Sequence, residues 1–405
     1  MVLVEVLTKV VEEQSNWLLP KGNEISRDFL GQFKPAGNFV EIITGVRRCG
    51  KSTVLRQIIE GRYQHVSFLN WEDPRLVDFE TSDYDKLMTI FPSNTEAYLF
   101  DEIQNAPHWE SYVRLLHNQG KKVFVTGSNA ELLSRELGTK LTGRNIQHEM
   151  FPFSFSEFSR FKNMNPDQSA LRSYLAEGGL PEYLDTEKVI VLQQLFKEVV
   201  IRDIGVRYGL RNIDQLMKVA VHLMSNVGKE FSYNKIKNLF EIGSPSTVSD
   251  YCNWLEQAYL FFYLPRFNWS PAKKLVSLKK VYAIDNGLAK ANSLSVSDDS
   301  GRMLENAVFL ELRRRGFDLY YFREKKECDF LVFTLGQCKQ AIQVCEQLNG
   351  DTQKREFAGL IEAMESQKLE KGLIVTLEQK DRFVVDGFVI EVVPAVEFLM
   401  ANAKS

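Results

Sequence analysis

Thr44-Gly45-Val46-Arg47-Arg48-Cys49-Gly50-Lys51-Ser52-Thr53 decides how the rest of the chain is read. From Gly45 it fits the pattern Gly-x-x-x-x-Gly-Lys-Ser/Thr, a loop whose glycines let backbone N–H groups close around phosphates. The apolar run Phe39 to Ile43 before it reads as a short buried strand, and Val54 to Ile59 after it as a helix. Strand, loop, helix is the setting such a loop needs, because the helix N-terminus adds its positive dipole end. In this reading Gly45, Val46, Arg47, Arg48, Cys49, Gly50, Lys51, Ser52 and Thr53 wrap the phosphates of a nucleotide. Lys51 reaches the β- and γ-phosphates, and the Ser52 hydroxyl holds Mg²⁺. Arg47 and Arg48 raise the positive potential of the loop or pair with acids elsewhere.

Ala97-Tyr98-Leu99-Phe100-Asp101-Glu102 is an apolar run ending in two carboxylates, about 50 residues after the loop. It reads as a buried parallel strand with acids at its C-terminal edge. Asp101 is expected to bind Mg²⁺ and Glu102 to polarise a water for attack on the γ-phosphate. The run Lys121 to Asn129 is the next strand, ending in small polar residues. Ser128 and Asn129 are candidate γ-phosphate contacts, with Thr126 behind them; the alternative is a Ser/Gly/Asn turn that merely ends a strand. Arg144 is a candidate stabiliser of transition-state charge, in cis or from a neighbouring subunit, or else a solvated arginine. The chain lacks an Asn-Lys-x-Asp guanine-reading motif, so ATP is the expected nucleotide.

In these motifs the sequence resembles prokaryotic AAA-type ATP-binding proteins that carry a C-terminal domain of unknown function related to PD-(D/E)XK nucleases. The resemblance rests on 45–52, 100–104, 126–129 and 141–144. It extends through Phe151 to Phe158, Gly178 to Glu182, Leu304 to Gly316 and Glu327 to Phe330, so it spans nearly the whole chain. It implies an ATPase core with a helical lid, a winged-helix segment and a nuclease-like module.

A chain of 405 residues with 44% hydrophobic residues and 28 Phe has material for two to four domains. A net charge of −3 does not demand a nucleic-acid partner. Cys49, Cys252, Cys328, Cys338 and Cys345 are odd in number and form no C-x-x-C pair, and five His give no zinc spacing. A cysteine inside a phosphate loop fits a reducing compartment, so cytoplasmic residence is expected. The apolar start of the chain is interrupted by Glu5 and Lys9 and has no basic region before it, which reads as an amphipathic helix, not a signal peptide. No run is long enough to span a membrane.

Pattern changes divide the chain into 1–36, a helical lead-in; 37–155, alternating strands and helices; 156–210, mostly helical; 211–276; and 277–405. Within 211–276, Tyr233 to Phe240 and Thr247 to Ala258 read as helices around a turn, followed by a strand from Tyr259 to Pro265. That is the order of a winged helix-turn-helix. Its second helix, Ser246 to Gln257, carries Asp250 and Glu256 and no basic residue, which suits phosphates poorly. Arg266, Lys273, Lys274, Lys279 and Lys280, interleaved with Phe267 and Trp269, are the candidate DNA-contacting wing; a protein-binding wing is the alternative.

In the last segment the resemblance points to a helix acid, Glu305, a strand acid, Asp329, and then an acid-x-Lys on the next strand. Here those two positions hold Gln343 and Cys345, so the pattern fails at the residues that activate water. Glu305, at the start of its helix, and Asp329 are otherwise ion-pair partners of Arg323 or Lys325.

The expected fold is α/β: a P-loop NTPase parallel sheet with a helical lid, then a winged-helix segment and a C-terminal α/β restriction-endonuclease-like domain. The expected function is a Mg²⁺-dependent, ATP-hydrolysing switch. The alternatives are an ATP-dependent DNA-binding or DNA-cleaving effector through 246–280, and a signalling or scaffold ATPase with a protein partner. Assembly into a homo-oligomer is a further expectation, since Arg144 could act from a neighbouring subunit.

Overall fold

The computed structural model describes all residues except 19–23, 130–142, 271, 273–276, 296–298 and 402–405. Leu141, Thr142, Lys273 and Lys274 therefore lie outside the described residues. The chain divides into two compact units, 1–151 with 257–259, and 152–256 with 260–405.

The first unit is built on apolar runs short enough to be strands and buried on both faces, as parallel strands are. They are β1 (Val40–Gly45), β2 (Val66–Asn70), β3 (Ala97–Asp101) and β4 (Lys122–Gly127), joined at the edge by β5 (Asn145–Met150), which is mostly polar and only Met150 of which is buried. Their order is β2-β3-β4-β1-β5 and every neighbouring pair is parallel. All C-terminal ends therefore point to one edge. The longer helices of this unit among the described residues are α1 (Val4–Ser15), α2 (Lys51–Ile59), α3 (Asp83–Ile90) and α4 (Trp109–Asn118). The lead-in is part of this unit: Leu7 and Val10 of α1 are fully buried in one core with Ile42, Leu69, Leu87, Phe100 and Leu116. Asp83 holds the N-terminal residues by accepting from the Val2 N–H at 2.9 Å.

The second unit opens with α5 (Phe155–Phe161), entered through a capping box in which Ser154 and Glu157 bond each other's backbone N–H. Then come α6 (Gln168–Glu177), α7 (Pro181–Thr186) and α8 (Val189–Glu198), which runs on into a π-helical stretch, Val199–Val206. After α9 (Ile213–Met224) follow β6 (Glu230–Phe231), α10 (Tyr233–Leu239), α11 (Pro245–Gln257), β7 (Phe261–Pro265) and β8 (Lys279–Ala283). β8 is the middle strand between β6 and β7, both antiparallel to it.

The rest of the chain, after α12 (Asn286–Asn292) and α13 (Ser300–Arg314), forms a separate mixed sheet. Its strands are β9 (Asp318–Arg323), β10 (Glu327–Thr334), β11 (Gln337–Val344), β12 (Lys371–Thr376), β13 (Asp381–Val385) and β14 (Phe388–Pro394), in the order β13-β14-β12-β11-β10-β9. α14 (Gly350–Gln367) buries Phe357, Leu360 and Met364 in a core shared with Phe322, Leu331 and Ile374.

Three expectations are corrected here. Glu305 lies in the second turn of α13, not at its start, because Asp299 caps a helix that begins at Ser300. Phe267 is buried and stacks on Phe333 at 5.3 Å in the C-terminal core, so it is not a wing residue. Lys280 is also buried, 3% exposed at its side chain, and cannot meet a phosphate backbone. Trp269, by contrast, is 75% exposed. Among the described residues no helix is long and apolar enough to cross a membrane.

Candidate nucleotide site

Because β1, β3 and β4 are neighbours and parallel, the loop after β1, the acids ending β3 and the polar residues after β4 meet at one edge. Close packing shapes the loop. A Cβ on Gly45 would sit 2.2 Å from the Met150 carbonyl oxygen of β5, so only glycine allows the strand pair to stay closed. Gly50, at φ +96°, turns the chain into α2 through the left-handed region, where a side chain is strained.

Lys51 reaches back across the loop, donating to the Gly45 and Val46 carbonyls at 3.2 Å each and pairing with Glu102 Oε1 at 3.1 Å. The Ser52 hydroxyl donates to Asp101 Oδ2 at 2.6 Å. The other Asp101 oxygen accepts from the Thr126 hydroxyl, whose oxygen in turn accepts from the Glu102 N–H at 3.0 Å. Asn70, ending β2, donates to Asp101 Oδ2 at 3.4 Å. Glu102 itself has left-handed backbone, φ +50°, a strained conformation for this residue type. Its Oε2 accepts from the Ser128 N–H at 3.2 Å and from Gln104 Nε2 at 2.5 Å. Ser128 and Asn129 are buried at the end of β4.

The two acids are driven apart electrostatically. Burial and the neighbouring Glu102 charge push the Asp101 carboxyl up. Burial works the same way on Glu102, but the Lys51 ammonium, Gln104 and Arg47 outweigh it and hold that carboxyl well below the usual range. Burial opposes charge on Lys51 too; Glu102, Cys49 and Asp101 reverse this and keep it an ammonium. Cys49 is fully buried and its thiol is pushed up by burial, which makes it a passive packing residue of the loop. Arg47 pairs with Glu72 at 2.6 Å. Arg48 has φ +65° within the loop, and Thr53 lies in the first turn of α2.

Arg144 is not brought to this site in its own chain. It directly precedes β5, and its carbonyl accepts from Val40 N at the start of β1. It therefore lies at the opposite sheet edge, roughly 17 Å of strand away. Its guanidinium donates to Asn118 at 3.1 Å. The cis form of the expectation is thus corrected by the parallel pairing of β5 with β1.

Sequence reasoning missed Arg27 and Gln104. Arg27 comes from the lead-in, 18 positions before Gly45, and no local pattern marks it. Gln104 ends the run Phe100 to Gln104, and its spacing of two from Glu102 is the signal that marks it.

The second constellation, on the C-terminal sheet, is closed by a lysine. Lys280 of β8 lies 3.1 Å from Glu305, 2.9 Å from Asp329 and 2.7 Å from Glu327. Tyr282 donates to Glu305 at 2.6 Å. Gln343 uses its carbonyl oxygen to accept from Asp329 N and its amide to donate to Glu356 at 2.6 Å. The expected partners Arg323 and Lys325 are not those of Glu305 and Asp329: Arg323 pairs with Glu230 at 2.7 Å and with Glu327 at 3.4 Å, and the Lys325 N–H bonds Glu362. Cys345 is buried, with its thiol pushed up to about 12 by burial, and supplies no positive charge. An ammonium already occupies the position between the acids that a divalent ion needs, so the residues do not fit a metal-dependent nuclease centre, and no step is drawn through one.

A five-stranded parallel sheet, a glycine-lysine loop after β1 and paired acids ending β3 define a P-loop ATPase domain of the AAA type. Residues 38–159 match the model of an AAA domain, 168–299 match a domain of unknown function (DUF8612), and 300–398 match another (DUF4143). The chain is 36% identical over 407 residues to the uncharacterized protein MJ1544 of Methanocaldococcus jannaschii, covering 92% of this chain and 90% of that one. It is 30% identical over 396 residues to an uncharacterized protein of Haemophilus influenzae, covering 91% and 96%. It belongs to the family these two proteins represent, with an AAA-type ATPase domain at the N-terminal side. Among solved structures it is similar to the Thermotoga maritima RuvB Holliday junction branch migration motor, at 15% identity over 65% of this chain and 89% of that one, with a TM-score of 0.28.

Proposed function

We propose that this protein binds Mg²⁺-ATP in the loop from Gly45 to Thr53 and hydrolyses it to ADP and phosphate. The observation that carries the reading is the shared network in which Lys51, Glu102 and Ser128 meet beside the Ser52–Asp101 pair. Two oxygen donors side by side, a hydroxyl and a carboxylate, suit a hard cation. Ser52 and Asp101 would hold Mg²⁺, which when bound neutralises charge on the phosphates.

The chain's own residues account for the rest. Backbone N–H groups of the loop and the N-terminus of α2 carry the phosphate charge. Lys51 exchanges its contact with Glu102 for the β- and γ-phosphates, which frees one Glu102 oxygen. Glu102 then orients a water. As the water oxygen bonds to the γ-phosphorus, the bond from that phosphorus to the bridging oxygen breaks, its electron pair leaves with ADP, and the water proton passes to Glu102. Ser128 and Asn129 contact the γ-phosphate. A role for Arg144 in charge stabilisation belongs to a neighbouring copy of the chain, whose own loop it would face.

We further read the protein as a switch whose nucleotide state is passed to the second unit. The helix–turn–helix–strand order of α10, α11 and β7, with β8 beside it, supports the winged-helix reading of 211–276. The mixed C-terminal sheet with its acids locked by Lys280 supports a nuclease-like module kept for binding or structure, without cleavage. Reduced Cys49 fits a cytoplasmic setting.

The test is phosphate release from Mg²⁺-ATP by the purified protein, with and without duplex and single-stranded DNA, against Glu102→Gln. Turnover lost in Glu102→Gln supports the reading. A wild-type protein that neither binds ATP nor releases phosphate overturns it. Stimulation by DNA would assign the partner to nucleic acid, and turnover indifferent to DNA would assign it to a protein.

A further inference from the structure

Gln104 sits in the single 3₁₀ turn Ile103–Asn105 that follows β3. Its amide nitrogen donates both to Glu102 Oε2, at 2.5 Å, and to Ser128 Oγ, at 3.3 Å. The orientation of this amide follows from chemistry: a carboxylate oxygen only accepts, so the nitrogen is the atom in contact with Glu102 and the carbonyl oxygen is the one left over. That carbonyl oxygen, Oε1, is buried and has no hydrogen-bond partner among the described residues. A buried acceptor left unpaired is destabilising, so its retention beside a reactive centre calls for a ligand that satisfies it.

Two further facts give the position meaning. Ser128 Oγ accepts from Gln104, so its hydroxyl proton remains available to a phosphate oxygen. And both Glu102 oxygens are engaged, one by Lys51 and the other by Gln104 and Ser128 N. One amide thus connects the residue that touches the γ-phosphate with the residue that takes the water proton.

We infer that Gln104 is a positioning residue for hydrolysis, coupling γ-phosphate contact at Ser128 to the aim of Glu102 and accepting at Oε1 a hydrogen bond from the second O–H of the attacking water. The inference rests on the ATPase reading above. The attacking water has two O–H bonds. One donates to Glu102, which receives that proton as the oxygen bonds to phosphorus. The other donates to Gln104 Oε1 and stays intact in the product phosphate. With both O–H bonds fixed, the water's lone pairs are confined to its opposite side, which the γ-phosphorus would face.

The experiment compares wild type, Gln104→Ala, Gln104→Met, Ser128→Ala and Gln104→Ala/Ser128→Ala, measuring kcat, KM and equilibrium binding of ATP. Gln104→Met keeps the side-chain length without the amide and guards against a folding defect in the alanine variant. The expected result is a kcat about 10- to 100-fold lower in both Gln104 variants, with ATP affinity within about 3-fold of wild type. In the double variant the losses should not multiply, because both substitutions cut the same connection. A Gln104→Met enzyme at the wild-type rate overturns the inference, as do losses that multiply, or weakened ATP binding with kcat unchanged. Wild type that releases no phosphate sinks the ATPase reading itself, and that outcome is seen before any variant is compared.

Discussion

Arg27 Nη1 donates to the carbonyl oxygen of Cys49 at 2.9 Å, inside the phosphate loop. The second nitrogen of the same guanidinium donates to the Phe151 carbonyl at 2.8 Å, just before the chain enters its second unit. Both bonds are buried, and Arg27 is 5% exposed. One planar fork therefore fixes the loop backbone against the end of the sheet, a task that suits arginine's rigid donor geometry.

Replacing Arg27 by Ala removes a charged donor from two buried carbonyls. The expected outcome is destabilisation by about 2–4 kcal/mol, read from urea denaturation, and ATP binding about 10-fold weaker because the loop loses its brace. Arg27→Lys can satisfy one carbonyl only and should fall between the two.

Gly45→Ala tests the close approach of β1 and β5. The new methyl would meet the Met150 carbonyl at 2.2 Å, so the backbone must shift. A loss of about 3 kcal/mol in stability is expected, together with loss of ATP binding. An alanine variant with unchanged melting temperature would show that the strand pair yields freely.

Lys280→Met removes the ammonium from between Glu305, Glu327 and Asp329. Stripping one partner from a buried ion cluster costs about 3–5 kcal/mol at neutral pH. Without the ammonium, the carboxyls hold protons more tightly in the folded state than in the unfolded chain. The deficit should therefore shrink as pH is lowered from 7 toward 5, which denaturation at a series of pH values would read.

Asp285 gives a second pH dependence. Burial pushes its carboxyl up to about 6, against the lowering effect of the N–H groups of Gly179, Leu288 and Gly287. The folded state then binds the proton more tightly than the unfolded chain, whose Asp titrates near 3.8. This group's contribution rises as pH falls from about 6 toward 4, by on the order of 2–3 kcal/mol, and is least favourable above pH 6. In Asp285→Asn the slope of unfolding free energy against pH should flatten over that window.

Much of the nucleotide site is legible in one dimension because its parts are strand ends. A loop pattern after one apolar run, acids after a second and small polar residues after a third converge once the runs pair in parallel. Gly45, Lys51, Ser52, Asp101, Glu102 and Ser128 are readable for this reason. The same logic leaves the place of Arg144 open, since proximity in sequence to β4 says nothing about the direction of β5. Only the register Val40 to Asn145 puts it at the far edge.

Gln104 and Arg27 were hidden for different reasons. Gln104 is polar in a turn rich in polar residues, and its role appears only when Ser128 from another strand comes within reach. Arg27 bonds backbone carbonyls, which carry no sequence signature at all. Lys280 reads as one cation in a basic stretch; burial among three acids from α13 and β10 changes it from a surface charge into a counter-ion.

The sequence by itself determined the phosphate loop, the acids that follow the second motif strand, and the alternation that builds a parallel sheet, because each depends on local spacing and hydrophobic period. The tertiary structure decided which edge Arg144 occupies, which cation fills the acid cluster of the C-terminal sheet, and which amide joins Glu102 to Ser128. Those are contacts between segments distant in the chain, and their energies depend on burial and on strand register, quantities that exist only once the chain has closed on itself.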